Sequence, residues 1–304
     1  MDLIRPGTKY DFIGKKKYTL LISSFTILLS LGSIFYHGGL RNGVDFAGGV
    51  LIQIKFSKPA NISEVRSVLD SVGAKEAVVQ AFGGENEFLI RMEKTTGDME
   101  TVLKSIQVSL QEKFKDKSLE ILRAEAVGPK VGQDLRKKAL WAVLLSFAGI
   151  LVYVAIRFHD FSYGLGGIAS LIHDVIVTYG AISILNLEYS LPLLAVVLTI
   201  IGYSINDTIV IFDRVRENIK KIRKEELKTI FNISINETLG RTILTTSTVM
   251  MVALVLFFLG GSVIHDFATA LIVGVITGTY STIYIASPVV LFWEQKIRGK
   301  RTSR

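Results

Sequence analysis

Long apolar stretches without interruption are the strongest pattern along the chain. There are six of them, and each is 18 to 27 residues long. At about 1.5 Å per helical residue, each can cross a hydrocarbon core of roughly 30 Å. They cover residues 18–36, 139–156, 162–185, 191–212, 242–259 and 267–293. The pattern predicts a polytopic α-helical membrane protein with six transmembrane helices.

A polar and mixed block separates the first span from the second and predicts an inserted α+β domain. Apolar residues that alternate with polar ones indicate strands, and apolar residues at every third or fourth position indicate helices. The predicted elements are a strand at 50–56, a helix capped by Asn61 or Ser63 and running to Ser71, strands at 77–82 and 87–92 joined by a turn at 83–86, a helix at 98–114 and a strand at 119–124. This βαββαβ order is the ferredoxin-like arrangement.

Basic residues indicate the orientation, because cytoplasmic loops retain Lys and Arg. Residues 15–17 are all Lys, residues 214–228 contain seven basic residues, and residues 296–304 contain five. These clusters share one side of the membrane if both termini are cytoplasmic, and only the basic residues 136–138 disagree. The predicted segments are a cytoplasmic terminus at 1–17, a first span at 18–36, an extracytoplasmic domain at 37–135, five further spans within 136–293 and a basic cytoplasmic tail at 294–304.

Composition removes several classes of function. The chain has no cysteine, and its four histidines lack metal-ligand spacing, so we expect no metal and no cofactor. A formal charge of +8 would suit nucleic acid only on a soluble surface. The topology accounts for most of this charge, and we expect the lipid bilayer rather than nucleic acid as a partner. The sequence has no phosphate-binding loop, and thus no ATPase motif, and no nucleophile–base set, so an enzyme is the least favoured class of function.

Ionisable residues inside predicted spans need a reason, because each costs roughly 2.5–3.5 kcal/mol to insert. Asp207, next to Asn206, lies five residues inside the end of the fourth span, where an unpaired carboxylate favours its neutral form. Arg241, near the start of the fifth span, is long enough to reach it. The two predict either a switch between an ion pair and a protonated, separated state, which would couple to a proton gradient, or a purely structural ion pair.

Two further groups of residues lie inside predicted spans. His173 and Asp174 are near the middle of the third span and form either a structural hydrogen-bonded pair or part of a proton relay. Ala270, Gly274 and Gly278 recur at steps of four in the sixth span. Small residues at this spacing indicate a seam for helix packing.

Four short motifs carry a resemblance to a known family. They are VDFAGG at 44–49 with Asp45, Phe46, Gly48 and Gly49, VGPKVG at 127–132 with Gly128 and Pro129, GYSINDTIV at 202–210 with Gly202, and NETLGRTI at 236–243 with Asn236. In this order, and with six spans, they resemble the SecF family, the smaller membrane subunits of the bacterial SecD–SecF complex that assists protein export.

The resemblance implies half of a resistance-nodulation-division-like membrane fold, in a heterodimer with SecD. It implies use of the proton motive force to promote preprotein export and release across the bacterial cytoplasmic membrane, with Asp207 and Arg241 in proton transport. The implied partners are SecD, the SecYEG translocon and preproteins, with YajC and YidC as further candidates. Proton or sodium coupling stays open, as do a scaffold that only stabilises the translocon and an exporter of small molecules or lipids.

Overall fold

The computed structural model describes residues 8–82, 86–92, 98–158, 160–222 and 224–302, with side chains to residue 296. The helices and strands are α1 (Lys16–Tyr36), α2 (Val44–Ala47), β1 (Gly49–Phe56), α3 (Ile62–Ser71), β2 (Val78–Ala81), β3 (Glu87–Met92), α4 (Met99–Lys113), β4 (Leu119–Val127), α5 (Pro129–Phe158), α6 (Phe161–Ile184), α7 (Leu191–Lys221), α8 (Leu227–Leu259), α9 (Gly261–Ser281) and α10 (Ser287–Thr302). A π-helical turn at Thr282–Ala286 joins α9 to α10.

Six apolar spans are present in the described part of the chain, as the sequence predicts. The helices α1, α5, α6, α7 and α8 supply five, and α9 continues through the π-helical turn into α10 to supply the sixth. The protein is therefore a multi-pass membrane protein. Gly180 of α6 lies against Ser30 of α1, so these two helices approach closely.

The inserted domain has the predicted βαββαβ order and forms one four-stranded antiparallel sheet in the order β2-β3-β1-β4. Asn61, rather than Ser63, caps α3, and its capping box is completed by Glu64. Residues 83–85 of the turn predicted at 83–86 lie outside the described residues. Because strand residues alternate between faces, Ile52 and Ile54 meet α3 and α4, while Leu51 and Gln53 point the other way and are also buried. The second face therefore packs on the membrane helices.

The fourth and fifth helices extend well beyond their predicted apolar spans. α7 continues to Lys221 and α8 begins at Leu227, so most of the polar segment 213–241 forms a helical hairpin. Side chains join its two arms. Arg214 lies 2.6 Å from Glu237, and the Asn218 amide donates to the same carboxylate at 2.7 Å. The hairpin is thus a rigid extension of the bundle.

The segment that precedes α1 is held against α8 by two asparagines. The Asn232 carboxamide oxygen accepts hydrogen bonds from the backbone N–H groups of Phe12 and Ile13, both at 3.0 Å. The Asn236 carboxamide accepts a hydrogen bond from the Tyr10 N–H and donates one to the Tyr10 carbonyl, both at 2.9 Å. Asn236 of the fourth motif therefore ties this segment to the base of α8.

Two glycine-containing motifs meet where the inserted domain joins the bundle. Gly48 has φ +79°, and a Cβ there would lie 3.0 Å from the Pro129 Cα. A Cβ on Gly132, one turn into α5, would lie 3.1 Å from the Gly48 nitrogen and the Phe46 carbonyl oxygen. Gly49 begins β1 and pairs with Val127. This close backbone packing fixes the start of α5 against the sheet.

We predict that Gly132→Ala destabilises the protein by about 1–3 kcal/mol, because the added methyl group overpacks a backbone contact. Gly149→Ala is the matched control, since Gly149 lies on the same helix and its Cβ would meet nothing within 4 Å. That control should be neutral or slightly stabilising. The measurement is unfolding of the purified chain in detergent. Equal midpoints for the two variants would contradict the packing described here.

Candidate functional site

Asp207 is the carboxylate around which the candidate site is built. It lies on α7 and is 6% exposed. Its Oδ1 atom accepts a hydrogen bond from the Thr242 hydroxyl at 2.8 Å, whereas Oδ2 is buried and has no partner among the described residues. The neighbouring α7 residues Ile205 and Ile211 are buried and apolar. Asp207 is therefore a buried carboxyl group that uses one of its two oxygens in the described hydrogen bonds.

Arg241 lies on α8 beside Thr242 but does not bond Asp207. Its side chain is exposed, and within the described part of the chain it forms neither a hydrogen bond nor an ion pair. In this structure the two side chains are therefore separate, and the ion pair that both sequence hypotheses include is not formed.

Hydrogen-bonded side chains on successive turns join α7 to α8. One turn away from the Asp207–Thr242 bond, the Tyr203 and Thr246 hydroxyl oxygens are 2.7 Å apart. Thr246 is in turn 3.0 Å from the Thr279 hydroxyl on α9. The sequence pattern does not single out Thr242. The available signal was that Thr242, Thr246 and Met250 recur every four residues, which places them on one face of α8.

Asn206 and Gly202 lie on the other side of α7. Both are exposed, and a Cβ on Gly202 would meet nothing within 4 Å. One turn apart, they form a strip of small and polar residues that no described part of the chain covers. Asn206 is thus next to Asp207 in sequence but on a different face of the helix.

His173 and Asp174 are buried in a separate set of hydrogen bonds. Asp174 is fully buried, and its Oδ2 accepts from Ser204 of α7 at 2.6 Å and from Ser281 of α9 at 2.7 Å. Its Oδ1 lies 3.2 Å from His173 Nδ1. The sequence interpretation named the histidine and the aspartate but missed both serines. Asp174 therefore joins α6, α7 and α9.

The small residues of α9 permit this junction. Gly274 lies directly against Ile200, and a Cβ on Gly278 would lie 3.2 Å from the Ser204 Cβ. Ala270 is buried one turn earlier on the same face. Beyond Gly278, Thr282 begins the π-helical turn, and its hydroxyl is 2.9 Å from the hydroxyl of Thr208 on α7. Larger residues along this stripe would separate α7 from α9.

Asp45 connects the inserted domain to the start of α7. This buried carboxylate accepts a hydrogen bond from the Leu191 N–H at 2.8 Å, at the first residue of that helix. Burial raises the pKa of Asp45, and the Leu191 hydrogen bond offsets part of that effect. The adjacent Phe46 ring stacks on Tyr189 with centroids 5.0 Å apart. The first motif therefore holds α7 at the end that faces the domain.

The second face of the sheet also forms polar contacts with the bundle. Gln53 donates to the Ser262 hydroxyl at 2.7 Å, and Ser262 donates to Glu87 at 2.5 Å. Glu188, in the turn before α7, pairs with Arg91 of β3 and with Arg41. These contacts reach both the α6–α7 turn and the start of α9, so movement of either helix end would be transmitted to the sheet.

The polar chemistry of the site comes from carboxyl, hydroxyl and imidazole groups. Among the described residues, no group of three or more His, Asp or Glu side chains is placed to hold a metal ion. The site instead presents two buried carboxylates, Asp207 and Asp174, with hydroxyl donors and one imidazole. Such groups take up and release protons without a cofactor.

We predict that Asp45→Ala destabilises the protein by about 0.5–2 kcal/mol, because the Leu191 N–H loses its acceptor. Asp45→Asn retains an acceptor and should be close to wild type, as should Asp134→Ala on the exposed surface of α5.

The raised pKa of Asp45 also predicts a pH dependence of stability. The contribution of Asp45 to the free energy of unfolding is fully present below its pKa in the unfolded chain, about 3.9, and is lost as pH rises through its pKa in the folded protein. Unfolding midpoints against pH should show this decline in wild type but not in Asp45→Asn.

We predict that Thr242→Val destabilises the protein by about 1–3 kcal/mol, because the Asp207 carboxyl group loses its hydrogen-bond donor. Thr245→Val is the control, since the Thr245 hydroxyl bonds only backbone carbonyls of its own helix. The cost of Thr242→Val should shrink in an Asp207→Leu background. Thermal unfolding of the four variants measures this coupling, and additive effects would contradict a direct interaction.

Comparison with known proteins identifies the family. A family model described as protein export membrane protein SecD/SecF, C-terminal, matches residues 106–296, and a SecD/SecF GG motif model matches residues 35–60. The chain is 45% identical to protein translocase subunit SecF of Thermodesulfovibrio yellowstonii, over 93% of this chain and 94% of the relative. It is 42% identical to SecF of Magnetococcus marinus, over 99% and 97%.

Two solved structures show the same architecture. The crystal structure of SecDF, a translocon-associated membrane protein from Thermus thermophilus, matches with a TM-score of 0.81 and 37% identity, over 95% of this chain and 39% of that one. SecDF in its super-membrane-facing form matches with a TM-score of 0.70 and 37% identity, over 100% and 41%. The chain thus spans about two fifths of those SecDF chains. The chain belongs to the SecF family of Sec protein translocase subunits.

Proposed function

We propose that this Sec subunit couples movement of protons through Asp207 to preprotein export, in a heterodimer with SecD. The observation that supports this most directly is the unbonded, buried Oδ2 of Asp207 in an apolar part of α7. A carboxyl group with a free oxygen can bind a proton without breaking an existing hydrogen bond. Arg241 acts in the cycle by stabilising the ionised carboxylate when the two approach.

The exposed strip of α7 supports a partner on that side of the bundle. Gly202 and Asn206 lie uncovered beside the buried Asp207. Polar groups that face lipid are costly, whereas a second helical bundle can hydrogen-bond them. The SecDF chains are more than twice as long as this one. We assign the membrane helices of SecD, which would correspond to the rest of those chains, as the partner that packs on this strip. SecYEG, YajC and YidC are further expected partners.

The orientation that fits this role has both termini in the cytoplasm and the inserted domain on the outer side of the bacterial cytoplasmic membrane. The basic residues of the α7–α8 hairpin and of the C-terminal tail support it. Movement at Asp207 would then reach the domain along α7, through the hydrogen bond from Leu191 to Asp45. The domain would transmit that movement to SecD or to an emerging preprotein.

We predict that Asp207→Asn abolishes the stimulation of export by a proton gradient, because an amide cannot exchange the proton. Proteoliposomes that contain SecD, SecYEG and the ATPase motor measure this as the protease-protected preprotein with and without the gradient. Asp213→Asn is the matched control, as Asp213 lies on the same helix, is only partly buried and pairs with Arg157 at 2.9 Å. A sodium gradient of equal size identifies the coupling ion.

A scaffold without ion coupling is the second candidate function. The bonds that join α6, α7 and α9 through Asp174 favour it, because they stabilise the bundle without Asp207. It requires that Asp207→Asn and Arg241→Ala both keep gradient-stimulated export, while omission of the chain lowers export. Full gradient dependence in those two variants would therefore reject proton coupling and retain the scaffold.

A further inference from the structure

His173 and Asp174 form a second ionisable centre that the Asp207 site does not use. Their side chains are 3% and 0% exposed. The centre is closed on several sides: Ser204 and Ser281 occupy Asp174 Oδ2, and the Tyr280 ring lies 5.9 Å from the imidazole. The Tyr280 hydroxyl is itself 3.0 Å from Ser23 of α1. Helices α1, α7 and α9 therefore pack around this pair on α6.

The hydrogen bonds constrain where a proton lies in this pair. Both serines donate to Oδ2, so that oxygen acts as an acceptor only. A proton on the line between Asp174 Oδ1 and His173 Nδ1 can belong to either atom. The other imidazole nitrogen, Nε2, is buried and has no partner in the described part of the chain. Loss of one proton thus takes the pair from a net charge of zero to −1, and gain of that proton restores the neutral pair.

Among the described residues, no ion pair places a Lys or Arg side chain against His173 or Asp174. The Tyr280 phenol of α9 packs against the imidazole and is not a cation, while Asp207 on α7 bonds Thr242 of α8 and not the pair. α1 contributes Ser23, whose hydroxyl lies 3.0 Å from that of Tyr280, and the basic residues of α1, α5 and α10 lie toward the ends of those helices. The two serine hydroxyls are therefore the described contacts that stabilise a net charge of −1, which is costly at this depth.

We propose that His173 and Asp174 bind one exchangeable proton as a unit, at a site distinct from Asp207. The two centres have separate hydrogen bonds, since Asp207 is bonded by Thr242 and Asp174 by the two serines. They share only α7, on which Ser204 lies one turn from Asp207. Release of the proton from the pair strengthens the acceptor for both serines and tightens α7 and α9 on α6. The proposal does not require Asp207 to carry protons.

The test is a pH titration of the full-length chain in lipid nanodiscs, followed by ¹⁵N NMR of labelled histidine. The chain has only four histidines, and His173→Gln assigns the signal. In wild type, the His173 ring nitrogens should shift with pH in one transition. Asp174→Asn should move that transition by at least about one pH unit, because an amide cannot share the proton. If the Asn variant does not fold, Ser281→Ala, which removes one donor to Oδ2, should also displace it.

Two outcomes would overturn the proposal. One is a His173 signal that does not change between about pH 4 and 10 in wild type, which indicates a proton locked in a structural pair. The other is a transition that both Asp174→Asn and Ser281→Ala leave in place. Asp207→Asn should keep the transition to within a few tenths of a pH unit. Failure of Asp207 in the export assay and failure of this pair in the NMR titration are thus separate results.

Discussion

Polar groups inside a bilayer have no water to bond and must be satisfied within the protein. This constraint organises the membrane part around α7, whose buried polar side chains point in two directions. Ser204 and Thr208 bond toward α6 and the π-helical turn, and Asp207 bonds toward α8. Small residues on α9 let the backbones approach closely enough for these bonds to form. The packing seam and the polar contacts are therefore parts of one arrangement.

The same helix carries the connection to the inserted domain. Its first N–H group is bonded by Asp45, and its preceding turn is held to the sheet by Glu188. α5 is held independently by the close backbone contact of Gly132 with Gly48. Two helices thus enter the membrane from fixed positions on the domain. A displacement of α7 relative to the domain must alter the Asp45 bond, whereas the start of α5 is held by a separate contact.

The six spans and the order of strands and helices along the inserted domain were predictable, because each element has a strong local pattern. Runs of about 20 apolar residues have few alternatives to a membrane helix, and alternation across β1 or β3 fixes which residues face the core. The apolar pattern does not predict the hairpin of α7 and α8, because the predicted spans end at residue 212 and begin again at residue 242. Its signal was present, since Ile230, Phe231 and Ile235 are buried at helical spacing.

The partners of the site residues were less predictable than the residues themselves. Asp207 and Asp174 stand out in an apolar sequence, but Thr242, Ser204 and Ser281 are ordinary in membrane helices. Their significance depends on which helices pack together and in what register, and no local pattern specifies this. Arg241 shows the same limit. Its length allowed a contact with Asp207, but the rotation of α8 turns Thr242 inward and Arg241 outward.

The two buried carboxylates differ in what a change of charge would require. Asp174 has both oxygens occupied, so a change in its protonation must alter bonds to α6, α7 and α9 together. Asp207 has one free oxygen and one bond to α8, so it can gain a proton or a new partner while a single contact adjusts. A site that must respond to a gradient without dismantling its surroundings is better served by the second arrangement. In the proposed cycle, Asp207 would therefore initiate movement, and Asp174 would set how tightly the three helices hold while it occurs.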